Sequence, residues 1–152
     1  NTWDIGSLAR TAWVDFGLHS KPRAAGEANS LNYIYSHETG TTDDGSAMEP
    51  FIESSVFSIG DGEQFSFISR LIPDIDIASS EATTSVNYLL KSRNFPGESL
   101  STNSTSAVTS TTDQAFVRSR SRSSVLRVES SASDIQWTLG DLRLDIRPDG
   151  RR

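Results

Sequence analysis

The sequence predicts an all-β fold: an antiparallel β-sandwich of jelly-roll-like form with roughly seven to nine strands. Three observations predict it. Apolar and polar residues alternate at period two along much of the chain, the pattern of strands with one face in a core and the other in water. Turn residues separate these runs at short intervals. No segment carries an apolar stripe at helical spacing long enough to form a helix, and no internal repeat is visible.

Leu31, Tyr33 and Tyr35 share one parity while Asn32 and Ser36 hold the other, so this segment reads as a half-buried strand. Phe51 to Ile59 and Glu63 to Leu71 flank Gly60-Asp61-Gly62, and Asp-Gly between apolar runs predicts a hairpin because Gly tolerates positive φ. On its second strand Phe65, Phe67 and Leu71 are expected to point inward, with Ser66 and Arg70 outward. Pro73 cannot donate to a ladder, which makes Ile75 and Ile77 an edge strand. Val86, Tyr88 and Leu90 form the next inward row, closed by Asn94-Phe95-Pro96-Gly97. From Glu98 to Gln114 nearly every residue is Ser, Thr, Asn or small, too little apolar area to fix a core position, so a long Ser/Thr-rich surface loop is expected.

Two parity slips follow. Arg118, Arg120 and Arg122 occupy even, solvent-facing positions, yet Leu126 and Val128, also even, look like core residues, so a β-bulge is expected near Ser123-Ser124. Ile135, Trp137 and Leu139 are odd, whereas Leu142, Leu144 and Ile146 are even, and Gly140 is the expected bulge there.

Composition bounds the chemistry. The 152 residues suffice for one domain, but only 35% are hydrophobic, and Ser and Thr together take roughly a quarter of positions, so a modest core and much polar surface are expected. With no Cys there is neither a disulfide framework nor a thiolate metal site. No apolar run approaches the roughly 20 residues of a membrane-spanning helix, and Asn1-Thr2-Trp3 lacks the basic start and apolar stretch of a signal peptide, so a soluble chain with no membrane partner is expected. The absence of an initiator Met suggests part of a longer polypeptide. The net charge of -6 is uneven: residues 115 to 152 carry eight Arg against five carboxylates, net +3, which leaves -9 on residues 1 to 114.

Candidate sites are few. His37-Glu38 and Asp43-Asp44-Gly45 lack the spacing of a helical zinc motif or an EF-hand loop and read as solvated turns, so no metal and no cofactor is expected. Glu53 and Glu63, facing each other across the expected hairpin, would imitate a glycosidase carboxylate pair, but a polar hairpin edge explains them equally. No nucleophile, base and orienter can be assembled, and a non-enzymatic role is expected. Arg118, Arg120 and Arg122 lie two apart on a strand, so three guanidiniums would share one stripe. That stripe suits acidic surface on a neighbouring subunit, DNA phosphates, or a solvated edge that resists aggregation. The uneven charge favours a head-to-tail subunit contact. Trp137 alternates with Ile135 and Leu139 and reads as core. Trp3 and Trp13 could form a sugar-stacking platform.

Several short segments stand in a distinctive order: Arg10-Thr11-Ala12-Trp13-Val14-Asp15, His37-Glu38-Thr39-Gly40, Phe51-Ile52-Glu53-Ser54-Ser55, Ile59-Gly60-Asp61-Gly62, Ile72-Pro73-Asp74, Arg118-Ser119-Arg120-Ser121-Arg122, Leu126-Arg127-Val128-Glu129-Ser130, Trp137-Thr138-Leu139-Gly140 and the ending Asp145-Ile146-Arg147-Pro148-Asp149-Gly150-Arg151-Arg152. In that order they resemble the C-terminal region of bacteriophage tail proteins of the nozzle or tail-tubular type, found in short-tailed phages. The resemblance covers nearly the whole chain. It implies a structural virion component below the portal and adaptor rings, assembled as a ring around the DNA exit channel, often with a β-propeller in the larger part of the protein. The implied partners are other copies in the ring, adjacent tail or adaptor proteins, and DNA passing through the channel. Residues 1–16 then read as the exit segment of a preceding domain, and 17–152 as the sandwich. The alternative is a carbohydrate-binding β-sandwich for host-surface attachment, with Trp3 and Trp13 stacking on sugar.

Overall fold

The computed structural model describes residues 10–15, 17, 19–43, 45–79 and 84–151. They are all-β, with no helix among them, and every strand pairing is antiparallel. The chain divides into two compact units, Asn1–Met48 and Glu49–Arg152, so the division falls between Met48 and Glu49 and not at residue 16.

The first unit holds β1 (Arg10–Val14), β2 (Arg23–Ala28) and β3 (Leu31–Ser36) in one sheet, and the short pair β4 (Thr42–Asp43) and β5 (Ser46–Ala47). Strand β1 lies inside the segment expected to lead out of a preceding domain; residues 1–9 and 16 lie outside the described residues. Strands β2 and β3 meet at the two-residue loop Asn29-Ser30, both with positive φ (52° and 62°), the signature of a type I′ hairpin turn whose twist matches its strands. The expected strand at Leu31 to Tyr35 is present, but it is not half-buried: Leu31 is 59% exposed and Ile34 76%. The small residues Ala24 and Gly26 on the central strand are buried in its place.

The second unit is the sandwich. Its strands are β6 (Phe51–Glu53), β7 (Ser66–Ile72), β8 (Ile75–Ser79), β9 (Val86–Arg93), β10 (Ser101–Val108), β11 (Ala115–Ser121), β12 (Ser123–Glu129), β13 (Ile135–Leu139) and β14 (Arg143–Pro148). They form a sheet ordered β10-β9-β12-β6, a sheet ordered β11-β7-β14 and the ribbon β13-β8. One apolar cluster draws on all three, with Val86, Tyr88 and Leu90 of β9 against Ile68, Leu71, Val117, Leu126, Val128 and Ile135. The inward row of β9 is as the alternation predicts. Trp137 packs against this cluster and donates from Nε1 to Ser130 Oγ at 3.0 Å.

Phe51 to Leu71 is not a hairpin. Gly60 and Gly62 do take positive φ in a turn, but that turn carries the chain from one sheet to the other, because β6 pairs with β12 while β7 pairs with β11 and β14. At the start of β7 the facing is reversed: Ser66 and Ile68 are buried, and Phe65 and Phe67 lie outward beneath arginine guanidiniums, whereas further along Leu71 is buried and Arg70 faces out as expected. An aromatic ring can take an outer position when a cation covers its π-face.

The expected loop from Glu98 to Gln114 contains β10, an eight-residue strand along β9. Thr is β-branched and favours strands, and polar side chains at the start of β10 bond to the neighbouring strands: Ser101 Oγ donates to Ser92 O, and Asn103 Nδ2 donates to Ser92 Oγ and to Ser119 Oγ. Low apolar content excluded a core row but not a ladder.

Neither parity slip is a bulge within one strand. At Arg122 the chain leaves β11 in one sheet and enters β12 in the other, so facing reverses because the sheet changes. Small hydroxyls fill that seam, where Ser66 Oγ donates to Ser121 O at 2.9 Å and Ser121 Oγ lies 2.9 Å from Ser124 Oγ. At Gly140 the chain likewise passes from β13, paired with β8, to β14, paired with β7. Glycine is needed there for space: a Cβ would collide with the Asp74 carboxylate, which also accepts from Asp141 N, while Gly140 N donates to Asp74 O.

Tyr88 is 1% exposed, and its hydroxyl has no hydrogen-bond partner among the described residues. Burial, with the nearby Asp74 carboxylate adding to it, pushes its pKa from 10.0 to about 12. Between those values the folded state keeps a proton that the unfolded chain releases, so stability falls as pH rises through that window. Tyr88→Phe removes both the unpaired hydroxyl and the titration. Near neutral pH it is expected to raise stability by about 1 kcal/mol, a few degrees in Tm. Thermal melts at several pH values check this: the advantage of the variant should widen above pH 10, and an equal or lower Tm for the variant would refute it.

Candidate functional site

The sheet ordered β11-β7-β14 gathers five arginines on its outer face, Arg70, Arg118, Arg120, Arg143 and Arg147. Register aligns Arg120, Phe67 and Arg147 across the three strands, and Phe116, Arg70 and Asp145 beside them. Arg118 sits at the irregularity between Phe116 and Ser119. Arg70 donates from Nε to Asp145 Oδ2 at 2.6 Å and from Nη1 to Gln114 Oε1 at 3.1 Å. The Arg147 guanidinium lies 4.8 Å from the Phe67 ring centroid.

The predicted stripe of Arg118, Arg120 and Arg122 therefore splits into two roles. Arg120 donates from Nε to Asp149 Oδ2 at 2.6 Å and from Nη2 to Asp149 O at 3.0 Å, with its guanidinium 4.1 Å from the Phe65 ring. Arg122 lies 5.1 Å from the same ring and 5.9 Å from Phe95, and reaches Arg151 O at 3.4 Å. Phe65 itself exchanges backbone bonds with the tail, its N donating to Gly150 O and its O accepting from Asp149 N, both at 2.8 Å. These two arginines thus clamp residues 149–151 onto β7. Arg118 is exposed and makes no ion pair among the described residues, and it borders a groove of about 590 Å³ with Phe67, Phe116 and Arg147. Phe116 is 76% exposed. Sequence reasoning missed Arg70 and Arg147, because only the β7 pairings bring them beside β11; the alternation Arg143, Asp145, Arg147 was the available signal.

On the other sheet, Glu53 does not meet Glu63, since the hairpin that would oppose them does not form. Glu53 accepts from Lys91 Nζ at 2.6 Å and from Arg127 Nη1 at 3.4 Å. Arg127 also bonds Glu129 and lies 3.8 Å from the Phe51 ring. The Lys91 hydrogen bond, with Arg127 adding, holds the Glu53 carboxyl below its usual range against the opposing effect of burial. The Glu129 bond, then that of Glu53, raises Arg127. This cluster fastens the short edge strand β6 across β12 and β9.

In the first unit a cleft of about 910 Å³ opens beside β3. A register shift between Arg10 and Ala12 sets Arg10 opposite Gly26 and Trp13 opposite Ala24, so both side chains join the face of Tyr33 and Tyr35. The Arg10 guanidinium lies 4.0 Å from the Tyr35 ring, and its Nε donates to His37 Nε2 at 3.2 Å. Trp13 and His37 rings are 4.5 Å apart, and Tyr33 and Tyr35 rings 5.9 Å. Trp13 is 49% and Tyr33 43% exposed. Among the described residues no group of three or more His, Asp or Glu could hold a metal ion. Trp3 and Asp44 lie outside the described residues.

No protein-family model and no curated protein matches this sequence.

Arg120→Ala should loosen the tail without unfolding the sandwich, since an exposed ion pair with a ring contact is worth about 1 kcal/mol. Hydrogen exchange at the Phe65 and Asp149 amides is expected to accelerate roughly fivefold, with the amides of β9 unchanged. Unaltered exchange at those two amides would remove the clamp from Arg120.

Proposed function

We propose that this chain is a non-enzymatic structural domain of a short-tailed bacteriophage tail protein of the nozzle type, and that it makes contacts with other copies in a ring. The ordered motifs from Arg10-Thr11-Ala12-Trp13 to Arg147-Pro148-Asp149-Gly150-Arg151-Arg152 support the family. The observation that carries a contact role is the patch on the outer face of β11-β7-β14, where Phe116 is 76% exposed beside the unpaired Arg118 and the Phe67–Arg147 groove. An exposed aromatic next to a guanidinium is the composition of a contact centre, and the same residues in bulk water gain nothing.

Arg120 and Arg122 act within the chain, so the contact is assigned to Arg118 with Phe116 and Arg147. The opposing surface is acidic, because residues 1 to 114 carry net -9 and a head-to-tail contact would set that charge against the basic end. DNA contact through the same patch is disfavoured by the overall charge of -6.

Sedimentation velocity over a concentration series tests the contact. The unaltered chain is expected to associate, and the Phe116→Ser/Arg118→Glu double variant to associate about tenfold more weakly or not at all, with the same circular dichroism. A chain that stays monomeric throughout, or a variant that associates equally well, would refute it. Imaging of the source particle by cryo-EM tests the family reading separately.

A further inference from the structure

We propose that the cleft beside β3 is a saccharide-binding site, with Trp13 and Tyr33 as its stacking surfaces. A pyranose ring presents an apolar C–H face bordered by hydroxyls, so its site needs flat exposed rings with hydrogen-bonding groups at their margins. The cleft supplies both. Trp13 and Tyr33 are each nearly half exposed, while Tyr35 and His37 stand behind them and hold them in place. Thr39 and Thr42 line the same cleft and give it a polar margin, where the Thr39 hydroxyl, donating to Ser36 O and His37 O, keeps its oxygen as an acceptor.

The backbone is arranged for this and not for a core. The irregularity between Arg10 and Ala12 turns Trp13 onto the face of the tyrosines, and the facing positions on β2 are Gly26 and Ala24, too small to fill the space between the flanking rows. Arg10 braces the wall, bound to His37 and lying over Tyr35, so the rings are ordered before a ligand arrives. Preordered rings reduce the entropy lost on binding. A volume of about 910 Å³ is that of a small-molecule or oligosaccharide site. This inference does not depend on the assembly patch, which lies in the other unit.

The test is a glycan array spanning bacterial and mammalian oligosaccharides, followed by titration calorimetry of the chain with each retained oligosaccharide. Binding is expected, with Trp13→Ala and Tyr33→Ala each weakening it at least tenfold. Trp13→Tyr, which keeps a flat ring at the same place, should retain most of the affinity and guards against mistaking a folding defect for loss of contact. Loss in Trp13→Tyr as severe as in Trp13→Ala would overturn the stacking role. Silence across the array, or retained binding in both alanine variants, would overturn the site.

Discussion

The β9 row of Val86, Tyr88 and Leu90 is the constraint on which the rest of the sandwich depends. Strand β9 is flanked by β10 on one side and β12 on the other, so its backbone groups are spent on ladders and its inner face is committed to one apolar cluster. Everything that meets it must bring an apolar inner face at matching register: Leu126 and Val128 alongside, and Ile68, Leu71, Val117 and Ile135 from the other strands. The core is small, as a 35% hydrophobic chain dictates, and Tyr88 occupies its middle although its hydroxyl finds no partner among the described residues. A large ring fills volume that several smaller side chains could not, and this offsets the cost of the unpaired oxygen.

With so little apolar material, the sandwich closes its remaining interior with hydroxyls. Ser66, Ser121 and Ser124 form a hydrogen-bonded seam where β11 gives way to β12, and Ser92, Ser119 and Asn103 form a second where β10 approaches β11. Small side chains let backbones come close, and the serine hydroxyls of these seams bond to one another or to neighbouring polar groups. The outer faces are organised differently, by guanidiniums lying on phenyl rings: Arg120 on Phe65, Arg147 on Phe67 and Arg127 on Phe51. These contacts shield aromatics that would otherwise be bare, and they leave Phe116 and Arg118 as the uncovered members of the set.

The first unit follows another economy. Its sheet buries little beyond Pro22, Ala24 and Gly26 among the described residues, and shows Trp13, Val14, Leu31, Tyr33 and Ile34 to the outside. A type I′ turn at Asn29-Ser30 locks the register of β2 against β3 without help from a core, so side-chain placement on this sheet is set by backbone geometry. That is why a single irregularity after Arg10 suffices to bring Trp13 into line with the tyrosines.

Local alternation by itself determined the all-β class, the inward row of β9, the packing of Trp137 and the outward facing of Arg118 and Arg120, because period-two facing is a property of one strand and needs no knowledge of its neighbours. It also located both reversals of facing, at Ser123-Ser124 and Gly140. Their cause was not legible, since a bulge and a crossing between sheets leave the same mark on parity; only pairing tells them apart. Pairing decided the other departures as well. The turn at Gly60 to Gly62 joins sheets and not a hairpin because β6 finds β12 and β7 finds β11 and β14, partners more than 40 residues away. The Ser/Thr run became β10 because β9 offered it a free edge. Phe65 and Phe67 face outward because arginines from β11 and β14 cover them, and two of the three arginines predicted to face a partner are held by the chain's own tail. Such contacts join residues distant in sequence, so they exist only once the chain has closed on itself.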